Sequence, residues 1–447
     1  MDKSQNIDFV LRTVEERDIR FVRLWFVDVL GRLKSLAISP EDLEAAFEEG
    51  IGFDGSAIDG FTAPEEADML AFPDPSTFQV LPWRPSSDGV ARIFCDVCTP
   101  DRKPFEGDPR NCLRHMFHRA EKAGFLMNVG TELEFYYFPD EHTPAPLDNV
   151  GYFDLLPSDS ARDVRRNTVL TLEKMSVPVE YTFHSSGPSQ HGISLRHAEA
   201  LTMSDAIMTA KHIIRLEAFQ AGVHASFMPK PITGEASSAM FLHQSLFDYK
   251  GNNVFYGEDD PVYHLSPVAK SYMAGILAHA AEITAITNPT VNSYKRLAPG
   301  RGNTAPTHAT WGLRNRAAMI RIPIYKPGKQ LSTRIELRSP DPMANPYLAC
   351  AVTLAAGLDG IKRGLELPPE TEFTDTDLSG NELTKLGYTP LPRNLDEALD
   401  VFEDSAFMKD ALGEHIHGFF LRKKRCEWRK YASTVSQWEV EQYLANS

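Results

Sequence analysis

The chain has 447 residues, enough for two or three domains and a sizeable core, and its 42% hydrophobic and 24% charged content is that of a soluble globular protein. A net charge of −15 weighs against nucleic acid as a general partner; no apolar run approaches the ~18 residues of a membrane helix, and the charged start (Asp2, Lys3, Asp8) lacks the apolar stretch of a secretion signal. Five cysteines, an odd number in so long a chain, suit a reducing cytoplasm; Cys95 and Cys98 form a CxxC, but inside a strand-like run that reads as packing.

Apolar spacing predicts a helix over Asn6 to Arg17 and a strand over Ile19 to Val29. A hairpin-like turn at 28–32 leads to a second strand through Ile38. Ser39-Pro40-Glu41 then opens a helix to about Glu49, with Ser39 as cap. Gly52 to Asp68 is Gly- and acid-rich and reads as a loop, and strand pattern returns over Phe78 to Trp83 and Val90 to Val97. These elements predict a small α+β domain over 1–107. Asp108-Pro109-Arg110 starts a helix to about Ala123 and marks the boundary with a larger domain, 108–447. Further helices are expected near 159–175, 203–221 (starting at Ser204-Asp205), 267–287, 344–363, 394–403 and 405–430. The Pro-, Thr- and Asp-rich segment 365–392 reads as a surface excursion. No GxxxxGK[ST] is present, so any nucleotide site is not a P-loop.

The most informative stretch is Gly130-Thr-Glu-Leu-Glu-Phe-Tyr-Tyr137. On a strand, Glu132 and Glu134 share a face with their stems roughly 6–7 Å apart, while Leu133 and Phe135 point to the core. Such a pair is either an ordinary solvated face or a cation site, because adjacent inward carboxylates raise each other's pKa unless a cation separates them.

Several stretches together resemble bacterial type I glutamine synthetases: Phe53-Asp-Gly-Ser56 with Asp68, Gly130 to Phe135, Phe227-Met-Pro-Lys-Pro231, Asn292-Ser-Tyr-Lys-Arg-Leu297, and Arg334-Ile-Glu-Leu-Arg-Ser-Pro-Asp341 with Asn345-Pro-Tyr347. The likeness spans nearly the whole chain. It implies a β-grasp N-terminal domain and a catalytic domain built on a twisted antiparallel sheet with helices. It also implies a homo-oligomer of stacked hexameric rings, in which one subunit lends Asp54 to the site of the next. In that family ATP phosphorylates the glutamate side chain and ammonia displaces the phosphate. Both reactants are anionic, so Mg²⁺ ions and basic residues must neutralise the transferred group.

By this resemblance Glu132 and Glu336 are ligands of the phosphate-side metal and Glu134 belongs to the second metal. Glu180, His243 and Ser245 contact the nucleotide, and Arg316, Arg321, Lys329 and Arg334 surround the phosphates. Arg296, Arg338 and Tyr152 serve the amino-acid substrate. Other positions depart from the family pattern. Phe241 stands where the phosphate-side metal has a His, in Ser237-Ser-Ala-Met-Phe-Leu-His243. Ser185 and Gly192 stand where the second metal has two Glu ligands. Thr304, beside Arg301, replaces the catalytic Glu, and Ala57 replaces a Ser of the ammonium pocket. The run 371–378 holds no Tyr for adenylylation. These departures imply fewer metal ions and poor use of ammonia. Two readings stay open: an ATP-dependent ligase joining a glutamate-like carboxylate to a larger amine, or a silent paralogue that binds or regulates. His184, His191 and Arg301 are the residues placed to compensate, by binding metal or by standing in for it.

Overall fold

The computed structural model describes residues 3–61, 68–84, 87–298, 305–371 and 380–445. Helix α1 (Lys3–Glu16) precedes β1 (Ile19–Val27), which pairs antiparallel with β2 (Leu33–Ile38). Gly31 supplies the positive φ of 78° that their turn needs. After α2 (Leu43–Glu49) come β3 (Ile51–Asp54), β4 (Asp68–Pro73), β5 (Gln79–Val80) and β6 (Gly89–Cys98). Strand β6 lies parallel to β1, giving the order β2-β1-β6-β4-β3 with β5 on β6. This is the β-grasp arrangement, and Val22, Leu24 and Ile93 fill its core against Val10 of α1 and Leu43 of α2.

Three local expectations need correction. The helix after Ser39 begins as a 3₁₀ turn, Pro40–Asp42, and Ser39 makes no side-chain cap. The stretch read as a loop from Gly52 contains most of β3, whose residues pair with β4. The strand read over 78–83 keeps only Gln79 and Val80, because Pro82 has no N–H to continue a ladder.

The second unit starts where Asp108 caps α3 (Pro109–Lys122) by accepting from the Arg110 N–H. Its sheet holds β7 (Leu126–Phe138), β8 (Val179–His184), β9 (Gln190–Glu199), β10 (His224–Ser226), β11 (Met240–Phe247), β12 (Trp311–Gly312), β13 (Ile320–Arg321) and β14 (Ile335–Leu337). The order is β12-β13-β14-β11-β7-β9-β8, with β10 on β7. All pairs are antiparallel except β12–β13, which is parallel.

Helices α4 (Arg162–Lys174), α5 (Ala200–Gln220), α6 (Pro267–Ala278), α7 (Ala280–Thr287), α8 (Ser293–Arg296) and α9 (Pro346–Arg363) follow the chain, then α10 (Gly380–Lys385), α11 (Leu395–Asp404) and α12 (Ala406–Ala432). Helix α5 starts before Ser204-Asp205, because Glu199 caps it at Thr202 while Asp205 is used in an ion pair with Arg110. The helix expected over 267–287 breaks at His279 into α6 and α7. Helices α6 and α9 cross so closely that a Cβ on Gly275 or Gly360 would strike the other helix's backbone. Tyr272 of α6 and Thr353 of α9 both hydrogen-bond Gln244, tying the pair to the back of β11. None of the described helices is long and apolar enough to cross a membrane, and all five cysteines are free. Cys95 and Cys98 are buried along β6.

Candidate active site

Side chains alternate along a strand, so one register decides which residues meet. Leu133 and Phe135 are buried in the core, and Glu132 and Glu134 therefore share the opposite face of β7. Glu132 lies opposite Phe241 of β11 and Ser194 of β9, and Glu134 lies opposite Gly192. Beyond β9, Ser194 and Gly192 face Tyr181 and Phe183. On the other side, His243 pairs with Glu336, and Glu336 with Arg321. A single sheet face thus carries three carboxylates, one imidazole, three aromatic rings and a guanidinium.

Each carboxylate is already held. Glu132 accepts from the Tyr181 hydroxyl at 2.7 Å and lies 3.5 Å from the His243 imidazole. Burial would raise its pKa, but the His243 hydrogen bond and charge, with Tyr181 and Arg338 adding, hold it below the usual value. Glu134 accepts from the Ser185 hydroxyl at 2.8 Å and the Ala239 N–H at 2.9 Å. Its pKa is raised, chiefly by burial, with Glu132 adding and these hydrogen bonds only partly opposing. Glu336 pairs with Arg321 at 2.7 Å and with Arg338. Arg338 also lies 4.3 Å above the Phe241 ring and donates from Nε to the Arg316 carbonyl at 2.7 Å. Arg296 is buried and donates to the carbonyls of Ser339 and Arg338 at 2.6 and 2.7 Å, fixing that strand end from behind.

An aromatic cluster borders the carboxylates. Tyr152 and Phe153 stack with centroids 4.0 Å apart, and the Phe183 ring meets them edge-on at 6.0 and 5.5 Å. The Phe183 ring lies directly over Gly192, where an added Cβ would penetrate it. The Tyr152 hydroxyl, its pKa raised by burial, senses Arg316, Glu132, Glu134 and Arg321 at once. Sequence reasoning missed Tyr181, Phe153 and Phe183. The alternation of Tyr181 and Phe183 along one strand was the available signal.

The remaining candidates lie further out. Ser245 continues the face of Phe241 and His243 and is buried. Glu180 is exposed, 3.4 Å from the Ser194 hydroxyl. Lys329 is exposed, and Arg334 donates to the Ser332 carbonyl at 3.2 Å. Asp54 ends β3 in the other sheet, is exposed, and accepts from the Ser56 N–H at 2.8 Å. Arg301, Thr304 and residues 372–378 lie outside the described residues.

His184 and His191 pair with each other across β8 and β9, one position off Phe183 and Gly192, and so face the opposite way. His191 packs against Phe135 and Tyr137 of the core side. They cannot replace ligands beside Glu134. With Asp148 their donor atoms lie within 4.8 Å of one another. However, Arg165 Nη1 sits 2.5 Å from His191 Nδ1, so Nδ1 accepts, Nε2 keeps its proton, and a fixed cation already occupies the surroundings. The cluster is better described as a buried ion pair. The Asp148 hydrogen bond raises the His184 pKa against the effect of burial, and the same contact lowers that of Asp148. The imidazolium's share of stability is fully present below the ordinary value of 6.5 and is lost as pH rises through the raised folded value. Urea midpoints should therefore fall between about pH 6 and pH 8.5, and Asp148→Asn should flatten that fall. An identical slope in the variant would remove His184 as its source.

The donor set fits one hard cation, since Glu132 and Glu336 offer the one or two carboxylates that Mg²⁺ uses. Beside Glu134, which accepts from the Ser185 hydroxyl and the Ala239 N–H, the neighbouring positions are Ser185 and Gly192.

Comparison with known proteins places this geometry. The glutamine synthetase β-grasp domain matches residues 18–100, and the glutamine synthetase catalytic domain matches residues 106–443. The glutamine synthetase of Mycobacterium tuberculosis strain ATCC 25618 / H37Rv is 51% identical over 452 residues, covering 100% of both chains. That of Methanosarcina mazei is 46% identical, covering 100% of this chain and 99% of its own. Among solved structures, a GmaS/ADP complex superposes with a TM-score of 0.87 and GmaS without ligand with 0.86, each 31% identical over 97% of this chain and 99% of the other. The chain belongs to the glutamine synthetase family of ligases.

Proposed function

We propose that the chain is an ATP-dependent carboxylate–amine ligase whose amine site is rebuilt for an organic amine larger than ammonia. The observation that carries this reading is the Phe183 ring over Gly192. It fills the place where the family has a metal-binding carboxylate, so no acidic side chain can stand there. The Tyr152, Phe153 and Phe183 rings instead offer apolar faces next to Glu134. An alkylammonium or an aromatic amine gains from such faces, and a neutral amine nucleophile needs less negative charge around it than ammonium.

In this reading Glu132 and Glu336 hold one Mg²⁺, which when bound would neutralise charge on the transferred phosphoryl group. Arg316, Arg321, Lys329 and Arg334 share that task, and Glu180, His243 and Ser245 contact the nucleotide. Arg338 takes the carboxylate of a glutamate-like substrate, and Arg296 holds the Arg338 backbone for it. Asp54, exposed at the end of its strand, serves the neighbouring subunit in a ring of stacked hexamers in the cytoplasm. The 372–378 segment offers no Tyr, so adenylylation does not control the enzyme.

The test is ADP release from ATP and Mg²⁺ with glutamate and a panel of amines. We expect kcat/KM for at least one primary organic amine to exceed that for ammonia by ~10-fold or more, the scale on which pocket fit discriminates. Ammonia matching every organic amine would overturn the reading. One observation favours a silent paralogue: Arg321 and Arg338 already neutralise Glu336. ATP binding without turnover of any amine would establish that alternative.

A further inference from the structure

A cavity of about 820 Å³ lies between the β1–β2 hairpin, α5, the start of α9 and α12. None of Glu132, Glu134, Glu336 or the aromatic cluster lines it. Its charge is one-sided. Lys423 and Arg32 pair with Asp59 at 2.6 and 2.9 Å, and Lys424 with Glu427 at 2.7 Å. Arg23, Lys211, Arg215 and Lys430 also line it, and among the described residues none of these four has a carboxylate within ion-pair distance.

Lys211 is the most telling. It is only 6% exposed, yet its ammonium donates to one carbonyl, that of Ala344, at 3.3 Å. Burial, with Arg215 adding, pulls its pKa down to about 7 against a smaller pull from Asp341. A buried ammonium with one long hydrogen bond is costly, and an anion beside it would remove much of that cost. Arg215 lies with its guanidinium 4.7 Å above the Phe227 ring, which orients it without neutralising it. Apolar side chains share the lining with these cations: Trp25, Met208, Ile286, Leu348 and Phe420. The volume lies within the ~300–1,000 Å³ of ordinary small-molecule pockets.

We propose that this cavity is a second binding site, for a small organic polyanion carrying phosphate groups on an apolar or ring-shaped body, the class of the nucleoside phosphates. The unmatched cations take the phosphates, and the apolar side chains take the body. Pro342, Met343 and Asn345, which line the cavity, continue the segment whose Arg338 and Ser339 carbonyls hold Arg296, so occupancy is placed to be felt at the ligase site.

The test uses the full chain in EDTA, titrated calorimetrically with inorganic tripolyphosphate and separately with ADP. Tripolyphosphate should bind with strong salt dependence, and its affinity should fall ~10-fold or more in the exposed double variant Arg215→Glu/Lys430→Glu. Lys211→Met, which removes the buried charge without adding one at the surface, should weaken it as well. Arg321→Gln, which alters only the ligase site, should leave it unchanged. ADP should show two classes of site in the wild type and one in the double variant. Tripolyphosphate binding with ADP confined to one class of site would overturn the assignment of a ring-shaped body to this cavity. Undiminished tripolyphosphate binding in both cavity variants, its loss in Arg321→Gln, or no binding at all would overturn the proposal.

Discussion

Arg110→Met is expected to destabilise the protein by ~3–5 kcal/mol, the range seen when one partner of a buried charge cluster is removed. The Arg110 side chain is 3% exposed and pairs with Asp74 at 2.8 Å, Asp205 at 3.0 Å and Asp96. Asp74 and Asp96 belong to the N-terminal unit, Asp205 to α5, and the Tyr347 hydroxyl of α9 donates to Asp205 at 2.5 Å. One guanidinium at the start of α3 therefore joins the β-grasp sheet to two helices of the larger unit. A methionine fills the same space but leaves the carboxylates facing one another, and Arg114, 2.9 Å from Asp96 and 3.9 Å from Asp74, makes no ion pair with Asp205. Urea denaturation would measure the change, and near-neutrality would mean that the aspartates take up protons or water at little cost. Arg110→Lys should recover part of the loss, because it restores the charge but not the planar fork.

Glu132→Gln is expected to lower kcat/KM by ~10²–10⁴, the equivalent of several kcal/mol of lost phosphoryl-charge stabilisation. The amide keeps an acceptor for the Tyr181 hydroxyl and the volume of the side chain, so the melting temperature should move little. The readout is therefore activity against stability, with the concentration of Mg²⁺ needed for half-maximal rate as a second axis. A variant with wild-type turnover would leave Glu132 as no more than a hydrogen-bond partner for Tyr181. If the protein proves silent, the same substitution should instead weaken Mg²⁺-dependent nucleotide binding.

Local periodicity carried most of the architecture. The Glu-Leu-Glu-Phe alternation of β7 was readable because one face had to be apolar, and Leu133 and Phe135 are indeed buried. The cap Asp108-Pro109 was readable because capping is a short-range interaction. Where tertiary structure competes for a residue, the reading failed: Ser204 and Asp205 look like a helix start, yet Asp205 is taken by Arg110 and Tyr347. At the site, the sequence marks Ser185 and Gly192 as small residues in an otherwise acidic place. It does not show that Phe183 covers Gly192, because that depends on the pairing of β8 with β9. Nor can it show that His184 and His191 turn to the core side, since a one-residue offset decides the face. The unmatched charge of Lys211 depends on four segments meeting, and no window of sequence contains them all.

The turn between β1 and β2 rests on Asn345, whose side-chain amide donates to the Asp28 and Val29 carbonyls at 3.1 and 3.3 Å. The same side chain caps α9 through the Tyr347 N–H. These contacts span 317 and 316 positions of the chain. On the ribosome, the earliest hairpin must wait, with its carbonyls still wetted, until more than three-quarters of the polypeptide has emerged. What is synthesised first is fastened last, so a truncated product ending ahead of residue 345 would present an unlatched amino-terminal sheet to chaperones and proteases.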